Sequence, residues 1–154
     1  MMTTRRSLLA ASSMLLAAAL LPLAPAGVAQ NAQNPETFHA RLSPVPINIS
    51  MMNTVAGNGF LTATLSGKRL SIEGTYEGLR SPATTAEIRR GPKGIPGPGV
   101  ANTELTVTKA MKGTISGTLE LTPEQIADLR KGQWYVQLQS EGAPDGNLWG
   151  WLLR

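Results

Sequence analysis

The chain of 154 residues holds one histidine, His39, and no cysteine, which narrows its chemistry before any element is placed. A transition-metal site needs several imidazole, thiolate or carboxylate donors at converging positions, and a serine triad needs an imidazole beside its hydroxyl. His39 alternates with Phe38 and Ala40 and is expected to face solvent. The pair Met51-Met52 reads better as an apolar loop or strand segment than as a thioether metal site. Glu73 and Glu77 suit exposed strand positions, and no spacing of acids singles out an acid/base couple. Glu87 and Arg89 share a strand face as a solvated charge pair, the alternative being a pair of flanking charges that clamp a ligand. Glycine-rich stretches read as loops, none of them set between a strand and a long helix as phosphate binding requires. The expectation is a protein that is not an enzyme, with no catalytic residue, no cofactor and no metal site.

Recognition by rings and amides is the chemistry that remains. All three tryptophans fall in the last strand pair, Trp134-Tyr135-Val136-Gln137-Leu138-Gln139 and Leu148-Trp149-Gly150-Trp151-Leu152. Alternation turns Trp134, Val136 and Leu138 inward with Leu148, Gly150 and Leu152, and leaves Tyr135, Trp149 and Trp151 on the other face. Pairing Leu138 with Leu148 sets Tyr135 beside Trp151 and Gln137 beside Trp149. Exposed aromatic surface of this extent marks a contact. With Gln137, Gln139 and Asn147 nearby, the rings suit a sugar ring or a peptide strand held by a binding module. The same face equally suits burial in a homodimer or against another envelope protein. In a third arrangement another segment, such as Ile47 to Thr54, covers the indoles and makes them core.

These residues need a scaffold, and the sequence supplies strands punctuated by Gly and Pro. Segments 38–42, 59–65, 70–76, 84–89, 104–108 and 112–120 alternate apolar and polar residues. With the terminal pair they make about eight strands, at the spacing of an antiparallel sandwich or barrel, and an all-β, antiparallel Greek-key sandwich is the expected fold class. Ser66-Gly67-Lys68 and Ala143-Pro144-Asp145-Gly146 read as tight hairpin turns. One short helix is expected over 123–131: Thr122 caps it, Pro123 suits its first position, Gln125 completes a capping box and Gly132 ends it. Ile126 and Leu129 then face the core, and the helix plugs one end of the sandwich. The stretch from Gly91 to Gly99 imitates the collagen period for about three triplets, too short to wind, and reads as a crossover loop. Ser43-Pro44-Val45-Pro46 reads as extended loop.

The amino terminus has the form of a secretory signal: Arg5-Arg6, an Ala/Leu run from Leu8 to Leu23, and small residues before a cut after Ala29 or Ala26. The paired arginines also fit a twin-arginine signal, so both export routes stay open. Cleavage at 29 leaves a short polar lead at 30–35 and one domain at 36–154, with no membrane span. Export places the chain in the periplasm or outside the cell. Without Arg5 and Arg6 the formal charge of +4 falls to +2, and no basic cluster with interleaved rings suggests nucleic acid.

The order of segments resembles the chordin domain (CHRD) family. The matching stretches are Phe38-His39-Ala40-Arg41-Leu42-Ser43 with Val45-Pro46; Tyr76-Glu77-Gly78-Leu79 followed by Ser81-Pro82-Ala83-Thr84; Gly91-Pro92-Lys93-Gly94; Leu121-Thr122-Pro123-Glu124-Gln125 with Leu129 and Gly132; and Trp134-Tyr135-Val136 through Gly146, Leu148, Gly150 and Leu152. The resemblance implies an extracytoplasmic β-sandwich, immunoglobulin-like or superoxide-dismutase-like, without established catalysis. It also exposes departures. Where the family carries His-x-His this chain has Glu87-Ile88-Arg89, and where it carries a further histidine this chain has Gln139, so a copper or zinc site is not expected. Family members favour polar side chains where Trp149 and Trp151 stand.

Overall fold

The computed structural model describes residues 34–44 and 49–154. The expected leader at 1–29, residues 30–33 of the lead, the Val45-Pro46 part of the proline loop and Ile47 lie outside them. Among the described residues eight strands and one α-helix form: β1 (Glu36–Leu42), β2 (Asn58–Ser66), β3 (Arg69–Glu77), β4 (Ala83–Arg90), β5 (Gly99–Val107), β6 (Gly113–Glu120), α1 (Pro123–Arg130), β7 (Trp134–Ser140) and β8 (Ala143–Trp151). All strand pairs are antiparallel, in the spatial order β1-β2-β3-β6-β5-β4-β7-β8. Because β7 returns past the β4-β5-β6 meander to lie beside β4, the topology is a Greek key.

Two well-paired halves, β1-β2-β3-β6 and β5-β4-β7-β8, meet at two narrow seams. At one seam β5 and β6 pair only at Thr106↔Ser116 and Val107↔Ile115. At the other, the free edges of β1 and β8 join through bridges at His39↔Leu153 and Ser43↔Trp149, each with two backbone hydrogen bonds of 2.7–3.0 Å. Closure satisfies edge groups that would otherwise invite pairing with another chain. The result is a nearly closed antiparallel barrel, within the sandwich or barrel class that the strand spacing predicts.

Period-2 patterning builds the core. Phe38, Ala40 and Leu42 of β1 point inward with Leu61, Ala63 and Leu65 of β2 and Leu70, Ile72 and Tyr76 of β3. From the other half come Ala86, Ile88, Trp134, Val136, Leu138, Leu148 and Leu152. Each large aliphatic side chain so buried contributes about 1.5–3 kcal/mol. The helix follows its caps: the Gln125 amide donates to Thr122 Oγ1 (3.2 Å), the Thr122 amide donates to Gln125 Oε1 (2.9 Å), and Gly132 ends it at φ +68°. Leu129 is fully buried and Ile126 packs on the core.

One turn differs from expectation. The β7–β8 hairpin turns at Glu141-Gly142, and Pro144-Asp145-Gly146 lies inside β8 as a bulge between the pairs Leu138↔Leu148 and Ser140↔Ala143. Proline can lie in a strand where its missing N–H falls at a bulge, so the same residues that mark a turn can also mark a bulge. Among the described residues no helix is long and apolar enough to cross a membrane.

Candidate functional site

The register of the terminal ribbon is the one alternation predicts: Leu138 opposite Leu148, Gln137 opposite Trp149, Tyr135 opposite Trp151. The expected exposure is not found. Tyr135 is wholly buried, and Trp149 and Trp151 are only 8 % and 9 % exposed. The rings form a second, smaller core on the outer face of β7–β8, with Tyr135 stacked on Trp149 (centroids 5.9 Å apart, 22° between planes) and tilted against Trp151 (4.7 Å, 34°). The 91–99 loop packs on two of the three rings, Tyr135 and Trp151. The Gly97 amide donates to the Tyr135 hydroxyl oxygen (2.9 Å), and the Trp151 indole N–H donates to the Gly91 carbonyl (3.0 Å). Close approach requires glycine: a Cβ on Gly97 would stand 1.7 Å from the Arg90 carbonyl oxygen.

The amides expected beside the rings are also structural. Gln137 is buried and its Nε2 donates to the Asp145 carbonyl (2.7 Å), tying down the bulge. Asn147, likewise buried, donates to Ser140 Oγ (2.9 Å) and accepts from the Ala56 amide (3.1 Å), anchoring the β1–β2 connection. The face proposed by alternation as a ligand or homodimer surface thus offers neither ring area nor free amides, because a glycine loop and a bulge use them internally.

Gln139, Glu87 and Arg89 do come together, on the outer face of β4 and β7. Arg89 Nη1 donates to Glu87 Oε1 (2.9 Å), Gln139 Nε2 reaches the same oxygen (3.4 Å), and Thr85 Oγ1 bonds Gln139 Oε1. Arg89 Nε donates to the Gly97 carbonyl (2.9 Å), so the pair braces the cover loop. These are the positions where the resemblance puts histidines. Their convergence is real, yet here it forms a salt-bridged chain whose groups satisfy one another. It lines a polar recess of about 450 Å³ with Asn102 and Glu104, beside the bulge that Asn102 turns at φ +58°. Among the described residues no three His, Cys, Asp or Glu side chains gather to hold a metal ion.

A second recess lies on the outer face of β2, β3 and β6. Cross-strand register lays out two outward rows, His39–Thr62–Glu73–Ser116 and Arg41–Phe60–Thr75–Thr114. The short side chains Thr62, Thr75, Thr114 and Ser116 leave a groove of about 560 Å³ beside the taller Phe60, whose ring is 52 % exposed. His39 faces solvent as expected and stacks on that ring, with centroids 5.5 Å apart and 25° between planes. Its Nδ1 lies 3.4 Å from Thr62 Oγ1. Glu73 borders the groove with an exposed carboxylate. Phe60 was legible in principle, since Leu61, Ala63 and Leu65 fill the inward positions of β2 and force it outward.

No curated protein and no solved structure matches this chain. A family model does, the CHRD domain, over residues 38–152. The match begins within β1 and runs past the end of β8. The chain belongs to the CHRD domain family.

Proposed function

We propose that this chain is an exported, noncatalytic binding module that takes a glycan in the groove of β2, β3 and β6. The observation that carries the reading is the half-exposed Phe60 ring standing beside a floor of hydroxyls and the Glu73 carboxylate. An aromatic face stacks on the C–H surface of a sugar, while hydroxyls and a carboxylate supply directional bonds to its hydroxyls. Family membership and the amino-terminal pattern support export, with a cut after Ala29 or Ala26. The chemistry of the groove suits binding, since Glu73 has no second acid placed opposite it across a cleft.

Glycan arrays probed with the protein recovered from the periplasm test this directly, and the mass of that sample reports the cut. Phe60→Ser, at an exposed site, leaves folding intact and is expected to weaken glycan retention about tenfold, the worth of one stacked ring. Unchanged retention in Phe60→Ser, or no glycan retained by the parent, would sink the reading.

A further inference from the structure

Phe60 and its register partner Thr75 border two hollows on one face of the barrel. The larger, about 560 Å³, lies over β2, β3 and β6. The smaller, about 270 Å³, lies over β1, β2 and β3 and brings in Arg41, Asn58 and Glu77. Since both share Phe60 and Thr75, they form one diagonal track from β6 to β1 with the ring at its middle. The cross-strand pairs Thr62–Glu73 and Asn58–Glu77 mark its two halves. They stand about 13 Å apart along the strands, a distance no single pyranose ring bridges.

Neither end of the track is closed by a tall side chain of these strands. On the side of the larger hollow, register continues the face into a row of short hydroxyls, Thr37–Thr64–Ser71–Thr118. On the side of the smaller one, β2 begins after Gly57 and β3 ends before Gly78. The polar groups along the track are also uncommitted. Arg41, Asn58, Glu73 and Glu77 are exposed, and their side chains make no hydrogen bond or ion pair among the described residues. Farther along the same face, past the hydroxyl row, Arg69 and Glu120 pair with each other at 3.1 Å. A guanidinium, a carboxylate and an amide left free beside a ring are donors and acceptors for sugar hydroxyls.

We propose that the groove takes an interior stretch of a glycan chain, with sugars seated on both sides of Phe60, and not a single terminal sugar. The inference rests on the glycan reading and adds the length of the ligand to it. Short sugars fill the larger hollow beside Glu73. Longer chains continue into the smaller one, where Arg41, Asn58 and Glu77 meet their hydroxyls.

The test uses the periplasmic protein on an array of linear glucans, mannans, galactans, xylans, uronans and N-acetylglucosamine oligomers, each series running from the monosaccharide to the hexasaccharide. Calorimetric titration then follows every series retained. Affinity should rise about tenfold or more between disaccharide and hexasaccharide, and capping either end of the chain should leave it unchanged. Asn58→Ala combined with Glu77→Ala, both at exposed positions, should lower hexasaccharide affinity about tenfold and leave the disaccharide as it was. Affinity indifferent to length, loss of binding on capping one end, or a hexasaccharide unaffected by the double variant overturns the inference and leaves the glycan reading standing. A blank array overturns both.

Discussion

Tyr76 carries its hydroxyl across from β3 to the β5–β6 connection, bonding the Thr108 carbonyl and the Ala110 carbonyl (3.2 Å). Burial raises its pKa above the ordinary 10.0, partly offset by the bond to Ala110. The folded state therefore favours the protonated phenol. Its stabilising share is fully present below pH 10.0 and is lost as the pH climbs through the raised folded value. Both carbonyls keep a backbone donor without it, Thr108 from Ala110 and Ala110 from Ala83. Tyr76→Phe should then cost only about 1 kcal/mol at neutral pH and remove part of the alkaline loss. Urea titrations of both proteins at neutral pH and above 10.0 check this; an equal alkaline loss in the variant refutes the assignment. At this scale the sequence told side from side and little more. Alternation placed Tyr135, Trp149 and Trp151 on the correct face of the sheet, but a period of two is silent about what lies above that face.

The covering element shows why. An apolar helix or strand packed over the rings would have left a pattern, whereas the 91–99 loop meets Tyr135 and Trp151 with backbone, using the amide of Gly97 and the carbonyl of Gly91. Glycine and proline carry no hydropathy signal for such contact, so the segment reads as a mere crossing. The caps of α1 and the Ser66-Gly67-Lys68 turn were legible because each is specified by side chains within four residues. Pro144-Asp145-Gly146 was not, because its role depends on a partner strand. The loop's glycines differ in what they tolerate. A Cβ on Gly97 meets the Arg90 carbonyl at 1.7 Å, while one on Gly94 meets nothing within 4 Å and suffers only its φ of +84°. Gly94→Ala should cost about 1 kcal/mol. Gly97→Ala must pry the loop's neck apart, should cost about 2–3 kcal/mol, and should red-shift tryptophan emission as the cover lifts. Thermal melts of the two variants with emission spectra decide; equal losses without a spectral shift would show that the loop does not seal the rings.

Across the whole molecule, the strand count and class were readable from local periods, but the order β1-β2-β3-β6-β5-β4-β7-β8 and the closing of β1 on β8 were not, since both are contacts between distant segments. That closure also decides how the two cores unfold. Strands β7 and β8 give alternate residues to each: Trp134, Val136, Leu148 and Leu152 to the large core, Tyr135, Trp149 and Trp151 to the small one. Neither core survives the departure of β8, and β8 is held on both edges, by β7 and by the bridges to β1. The barrel should accordingly unfold as one unit, with tryptophan emission and backbone ellipticity tracing superimposable urea curves, as expected of a single domain of this size. Folding should be slow, in milliseconds to seconds, because β1 and β8 come from opposite ends of the domain and meet late. Emission from Trp149 and Trp151 changing before ellipticity would mean that the glycine cover leaves first and that the small core is a separate cooperative unit.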